Sequence, residues 1–254
     1  MKKFKFKKLK SVIKQAHQYH LEASTTKFII LFGLFITCAL LIRLVRNYSP
    51  NIVKNDESMH ILISPVVDDG LSEQESWQIA ELISTAVNIK VTPELEGIRL
   101  NDVYGHMGRE QHLPRYPGDH MGLINWFQRE GMTPGVGAFG YFANSKQALT
   151  PELAQMEKYY IAVQTLYLPT WNSDWVRLKP WFRFRKMLVV NPSNGKMVVA
   201  VVGDAGPAQW TGKQFGGSPE VYHELNLKDR KNEVIVLFID EQPGQEIPIG
   251  PVSY

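Results

Sequence analysis

Asp204 has the setting in this 254-residue chain that best suits a working acid. It follows the apolar, β-branched run Met197 to Val202 and lies in Gly203-Asp204-Ala205-Gly206-Pro207, where two glycines and a proline are expected to stop a strand. A carboxylate there stands at the end of a rigid strand beside flexible backbone, where scaffolds hold groups that move protons. The same residue also reads as a turn cap bonded to its own backbone. A second constellation is His106, His112 and His120 with Asp102, Glu110 and Asp119 close by. Metal binding is one reading, yet the histidine spacings match neither H-x₃-H nor H-E-x-x-H. The rival reading makes Gly97 to Asp119 a polar loop covering a surface. A third is aromatic: Trp171, Trp175, Trp181, Phe182 and Phe184 alternate with Arg177, Lys179, Arg183 and Arg185. Such rings stack on sugar faces, with the cations meeting carboxylates, or they fill a core. Pro134 to Phe142 is glycine-rich but holds neither G-x-G-x-x-G nor a Lys-Ser/Thr ending, so no phosphate cradle and no cofactor is called for.

The elements that must position these groups are legible in places. Leu188 to Val190 and Met197 to Val202 read as strands of one hairpin, joined through Asn191-Pro192 and the turn Ser193-Asn194-Gly195. Ser72 with Glu75 forms a capping box opening a helix whose apolar face is Ile79, Leu82, Ile83, Ala86 and Val87. Residues 59–67 have strand character broken by Pro65, and residues 122–132 read as a short helix. Pro151 to Tyr160 reads as a helical turn or two, and Tyr159 to Tyr167 as β-prone. Ser218-Pro219-Glu220 starts a helix with Ser218 as its cap. Glu233 to Asp240 is a strand, and Pro248 to Pro251 closes the chain against the sheet.

Charge is divided unevenly. Residues 1–27 hold eight lysines against Glu22, whereas residues 47–254 hold 18 Lys and Arg against 24 Asp and Glu, a net −6. The basic balance belongs to the tail, and nucleic-acid binding is not expected of the body. The tail either lies on an anionic membrane surface or serves as a solvated orienting segment. Residues 28–45 (FIILFGLFITCALLIRLV) are apolar apart from Thr37 and Arg43. At about 1.5 Å per residue the segment approaches the ~30 Å hydrocarbon core. The expectation is a single transmembrane helix with the lysine-rich N-terminus cytoplasmic and the rest extracytoplasmic. Cys38, the only cysteine, lies inside it, so no intrachain disulfide forms.

The order strand, NPSNGK turn, VVAVVGDAGP, SPEV helix start and late EVIVLFID strand resembles the double-psi β-barrel family of rare-lipoprotein-A-like wall proteins and expansins. Residues 190–196 and 198–207 match its V-T-N-x-x-N-G-K-x-V-V-V-x-V-x-D-x-G-P run, and Gly140-Tyr141-Phe142 matches its entry loosely. The resemblance implies a six-stranded double-psi barrel over 137–254, which makes the chain mainly β. Ahead of it the residues themselves divide into the tail at 1–27, the transmembrane helix at 28–45, a linker over 46–58 and an α/β extension over 59–136 that packs on the barrel. The resemblance also implies binding or cleavage of cell-wall glycan such as peptidoglycan, lytic-transglycosylase-like if catalytic, with Asp204 as the acid. Trp210, Thr211, Lys213, Gly216, Gly217 and Tyr141 are then the glycan-binding candidates, the glycines letting ligand approach the backbone. The family's second carboxylate, in a D-L-S motif, has no counterpart, because Gly216 and Gly217 precede Ser218. A non-catalytic envelope scaffold with protein partners is the alternative.

Overall fold

The computed structural model describes residues 71–120, 131–228 and 232–253. The tail, the apolar segment 28–45, the linker, the 59–67 strand and residues 122–130 of the expected short helix lie outside the described residues. Among the described residues no helix is long and apolar enough to cross a membrane.

The central hairpin forms as its residues dictate. Strands β6 (Lys186–Val190) and β7 (Met197–Ala205) pair antiparallel from Lys186↔Val201 to Val190↔Met197. The Asn191 carboxamide oxygen accepts the Ser193 N–H at 2.9 Å, and Gly195 takes φ 76°, a value that favours glycine. One expectation is corrected: β7 does not stop at Gly203 but runs through Asp204 to Ala205. Its partner is β5 (Tyr160–Val163), where Ile161 pairs with Val202 and Ala162 with Asp204. Gly203 is thus the extra residue of a bulge rather than a terminator. A side chain there would put its Cβ 2.8 Å from the Tyr160 Cβ, so glycine is what lets the bulge lie flat against that ring.

Four more strands join β5, β6 and β7 in the molecule's main sheet: β4 (Tyr104–Arg109), β8 (Phe215–Gly217), β9 (Glu233–Ile239) and the short edge strand β10 (Gly250–Pro251) on β7. The order β9-β4-β8-β5-β7 closes through β6, which pairs with both β7 and β9. The result is a six-stranded closed barrel of mixed sense, with β4–β8 and β5–β7 parallel and the other pairs antiparallel. Strand β1 (Val91–Thr92) adds to β9, and β2 (Glu94–Leu95) and β3 (Ile98–Arg99) form a separate ribbon.

Side-chain alternation divides the core in two. Met107, Ile161, Met187, Val189, Val198, Ala200, Val202, Phe215, Val236 and Phe238 come from all six barrel strands and fill one cluster. The alternate residues Leu188, Val190, Val199, Ile235 and Leu237 pack with Ile79, Ala80 and Ile83 of helix α1 (Glu73–Val87). That helix keeps its capping box, the Ser72 N–H donating to Glu75 at 2.8 Å. Its buried stripe is Ser76, Ile79, Ala80 and Ile83, while Leu82 is exposed, contrary to the expected apolar face. The stripe centres on Ile79 and Ile83, one turn apart, and Leu82 lies about 100° around the axis from Ile83.

Two segments depart from expectation. Gly97 to Asp119 is not merely a covering loop, since it contains β3 and the barrel strand β4. The barrel therefore draws its strands from both sides of residue 137. The aromatic segment forms a helix, α3 (Trp171–Phe182), irregular at Asp174 and containing Pro180. Phe182 is buried and Trp181 stands edge-on to Phe182 and Phe238 at 4.8 and 5.5 Å, so these rings belong to the core. Trp175 is exposed. Helices α2 (Pro151–Lys158) and α4 (Pro219–Glu224) form where expected, capped by Thr150 and Ser218.

Candidate functional site

The end of β7 presents Asp204 half-buried. Its Oδ1 accepts the Ala138 N–H at 2.7 Å and the Ala205 N–H at 2.8 Å. Only the second of these is a local turn contact. The first reaches across the fold to a loop that can dock closely because residue 137 is glycine: a Cβ there would lie 2.7 Å from the Gly203 carbonyl oxygen. Two amides on one oxygen fix the carboxylate's orientation, and among the described residues no hydrogen-bond donor reaches Oδ2.

The neighbouring acid is Glu110, the residue directly after β4. That strand runs parallel to β8 in the register Gly108↔Gly216 and Arg109↔Gly217, and the Glu110 N–H extends the ladder by donating to the Gly217 carbonyl at 2.8 Å. The Glu110 side chain then crosses β8 over Gly216. A Cβ on Gly216 would sit 2.7 Å from the Glu110 Cγ and 2.8 Å from its Cδ, with Oε1 nearer still. In the opposite direction Lys213 crosses β4 over Gly108, its Nζ 2.9 Å from where a Cβ would be. Gln214 crosses over Gly105 and accepts the His106 N–H at 2.9 Å. Three glycines thus make room for three crossing side chains. Burial pushes the Glu110 carboxyl above its ordinary value, the Asp204 charge pushes it further, and Lys213 offsets part of this. An acid held toward its protonated form beside a second carboxylate is an arrangement suited to proton transfer.

The position at which the resemblance expects a second acid is indeed glycine, yet the space of its side chain holds a carboxyl. Sequence reading misses Glu110 because the connection depends on β4–β8 register, and no local pattern records that register. Glu110 stood out only as a neighbour of the histidines.

The other candidates divide. Trp210 is 89% exposed in the turn Gln209–Thr211 directly after the Asp204 loop. The Thr211 hydroxyl donates to the Ala208 carbonyl at 2.7 Å and holds that turn, and Lys213 is exposed. Gln164 ties the loop's two ends, donating to the carbonyls of Pro207 and Lys213 at 2.9 Å each. Gly216 and Gly217 are buried beneath Glu110 and Met107, so their backbone is not open to a ligand from that side. Tyr141 lines an open cleft with Pro114, Asp119, His120 and Val136, and among the described residues no hydrogen bond joins it to Asp204.

The histidines do not converge. His106 is 3.0 Å from Asn232 Oδ1, and His120 is exposed. His112 is buried with its Nδ1 3.0 Å from Glu157 and its Nε2 3.9 Å from Glu220. Among the described residues no group of three or more His, Cys, Asp or Glu is arranged to hold a metal ion. The hydroxyl of buried Tyr160 donates to the Gln111 carbonyl. Burial first, and then the charges of Glu110, Glu157, Asp204 and Glu220, push that phenol well above its ordinary range. Compared with family models and with curated proteins, the chain matches none.

Proposed function

We propose that this chain is a membrane-anchored extracytoplasmic protein whose barrel, of double-psi type, binds and cleaves cell-wall glycan at Asp204. Residues 28–45 are its anchor, and the lysine-rich tail stays in the cytoplasm. The supporting observation is Asp204 itself: half-open at a strand end, pinned through one oxygen by two amides, and followed by a loop that exposes Trp210 and Lys213. A sugar ring stacks on an indole face, and an ammonium meets the carboxylates of wall peptides. The net −6 body is unsuited to nucleic acid.

The test uses the detergent-solubilised full chain with isolated wall sacculi, reading soluble fragments by mass spectrometry. Asp204→Asn keeps an oxygen for both amides and is expected to lower release at least ~100-fold, the usual contribution of an acid or base in position. A second reading, an envelope scaffold, draws on the exposed apolar residues Leu166, Trp175 and Val176, which suit a protein contact. Sedimentation with sacculi but no fragments from the wild-type chain supports this scaffold instead.

A further inference from the structure

We infer that Glu110 is the proton donor of the Asp204 site, an inference that rests on the glycan-cleaving reading. Its side chain occupies the room that a side chain on Gly216 would fill, and its backbone is locked to β8 by the Gly217 carbonyl at 2.8 Å. The carboxyl is therefore carried by the residue directly after β4, whose amide is tied to β8, and that anchoring gives the fixed position a precise proton transfer requires. Asp204 and Lys213 are the charged groups that interact with it, of opposite sign. Desolvation and the Asp204 charge keep the proton on Glu110 to higher pH than an ordinary glutamate, which suits a donor. Lys213 is in place to stabilise the carboxylate left behind.

The step balances without any outside reagent. Glu110 gives its proton to the bridging oxygen of the glycan, and the C1–O bond breaks with its electron pair going to that oxygen. The positive charge at C1 forms beside Asp204. A hydroxyl, from water or from the polymer itself, then bonds to C1 and returns its proton to Glu110. Gly216 is part of the device, because any side chain there would displace the donor.

Four full-length proteins test this: wild type, Glu110→Gln, Glu110→Ala, and Glu110→Ala combined with Gly216→Asp. Glu110→Gln is expected to lower fragment release at least ~100-fold while co-sedimentation with sacculi stays within about twofold of wild type. Glu110→Ala is expected to be equally inactive. The double variant restores a carboxyl from the opposite strand into the same space, and is expected to recover release at least ~10-fold over Glu110→Ala. Wild-type release by Glu110→Gln, alongside an inactive Asp204→Asn, overturns the inference and leaves the glycan-cleaving reading standing. Equal loss of binding and release in Glu110→Gln overturns it too, because the residue then only shapes the binding surface. So does a folded double variant with no recovery. If wild type itself releases nothing, the reading beneath has failed, and that is visible before any variant is examined.

Discussion

At the scale of single residues, Glu157 is the acid near Tyr160 whose loss the fold should register most directly. Glu157 is 1% exposed, and its Oε1 accepts the Leu113 N–H at 3.1 Å and lies 3.0 Å from the His112 Nδ1. Glu157→Ala strips the buried Leu113 amide of its acceptor and removes the carboxylate from His112. The expected cost is about 3 kcal/mol, since removing one partner of a buried pair leaves the other's desolvation uncompensated. Glu157→Gln retains an acceptor oxygen and should cost about half as much. Urea unfolding reads both as a lowered midpoint at unchanged slope. A loss below about 0.5 kcal/mol for the alanine variant shows that water replaces the carboxylate and the network is not structural. The place of Asp204 near the end of β7 is legible in the sequence because chain-breaking residues surround it. Glu110 and Glu157 are not, because each takes its meaning from a partner on a distant element: Gly216 for one, His112 for the other.

At the scale of elements, legibility followed locality. The β6–β7 hairpin, the capping box of α1 and strand β9 are each written in adjacent residues. Strand β4 is not: of Tyr104 to Arg109 only Met107 and Gly108 are buried, so no alternation marks it as a barrel wall. Its Gly105 and Gly108 read as loop residues, although they serve to let Gln214 and Lys213 cross. Gly203 likewise reads as a stop in the sequence but is a bulge in the fold. The bulge sets where Asp204 stands, since it moves the β5 partner from Val202 to Asp204 in one step. Gly203→Ala drives a Cβ to within 2.8 Å of the Tyr160 Cβ and 3.0 Å of its ring. Neither atom is the end of a flexible chain, so the strand must shift. The expected loss is about 1–3 kcal/mol, with fragment release reduced beyond what the loss of folded protein explains. Thermal melting against activity per folded molecule separates the two effects. Full activity per folded molecule shows that Asp204 does not depend on the bulge.

At the scale of the whole molecule, closing the barrel places several carboxyls where water is scarce, and this sets the direction of its pH dependence. Burial raises Glu110, with Asp204 adding to it, and burial likewise raises Glu220, although His112 opposes the shift. Both start from an ordinary value of 4.5, so above that pH the folded chain holds protons that the unfolded chain has released. Stability then falls as pH rises through that window and is fully present below it. Asp119 acts in the other direction. Burial pushes it up, but the Arg115 hydrogen bonds more than compensate and its carboxyl lies below the ordinary 3.8. Its contribution is present above that value and is lost as pH falls through the lowered one. These acids therefore favour the folded chain most in the interval between the two windows, which is mildly acidic. Glu110→Gln and Glu220→Gln should each hold the melting temperature more level than wild type as pH rises above 4.5, and the double variant should hold it most level. Parallel curves for wild type and both variants across that range mean that neither carboxyl keeps its proton in the closed barrel. Glu110 would then have none to give, and the donor assigned to the Asp204 site would be lost together with the pH dependence.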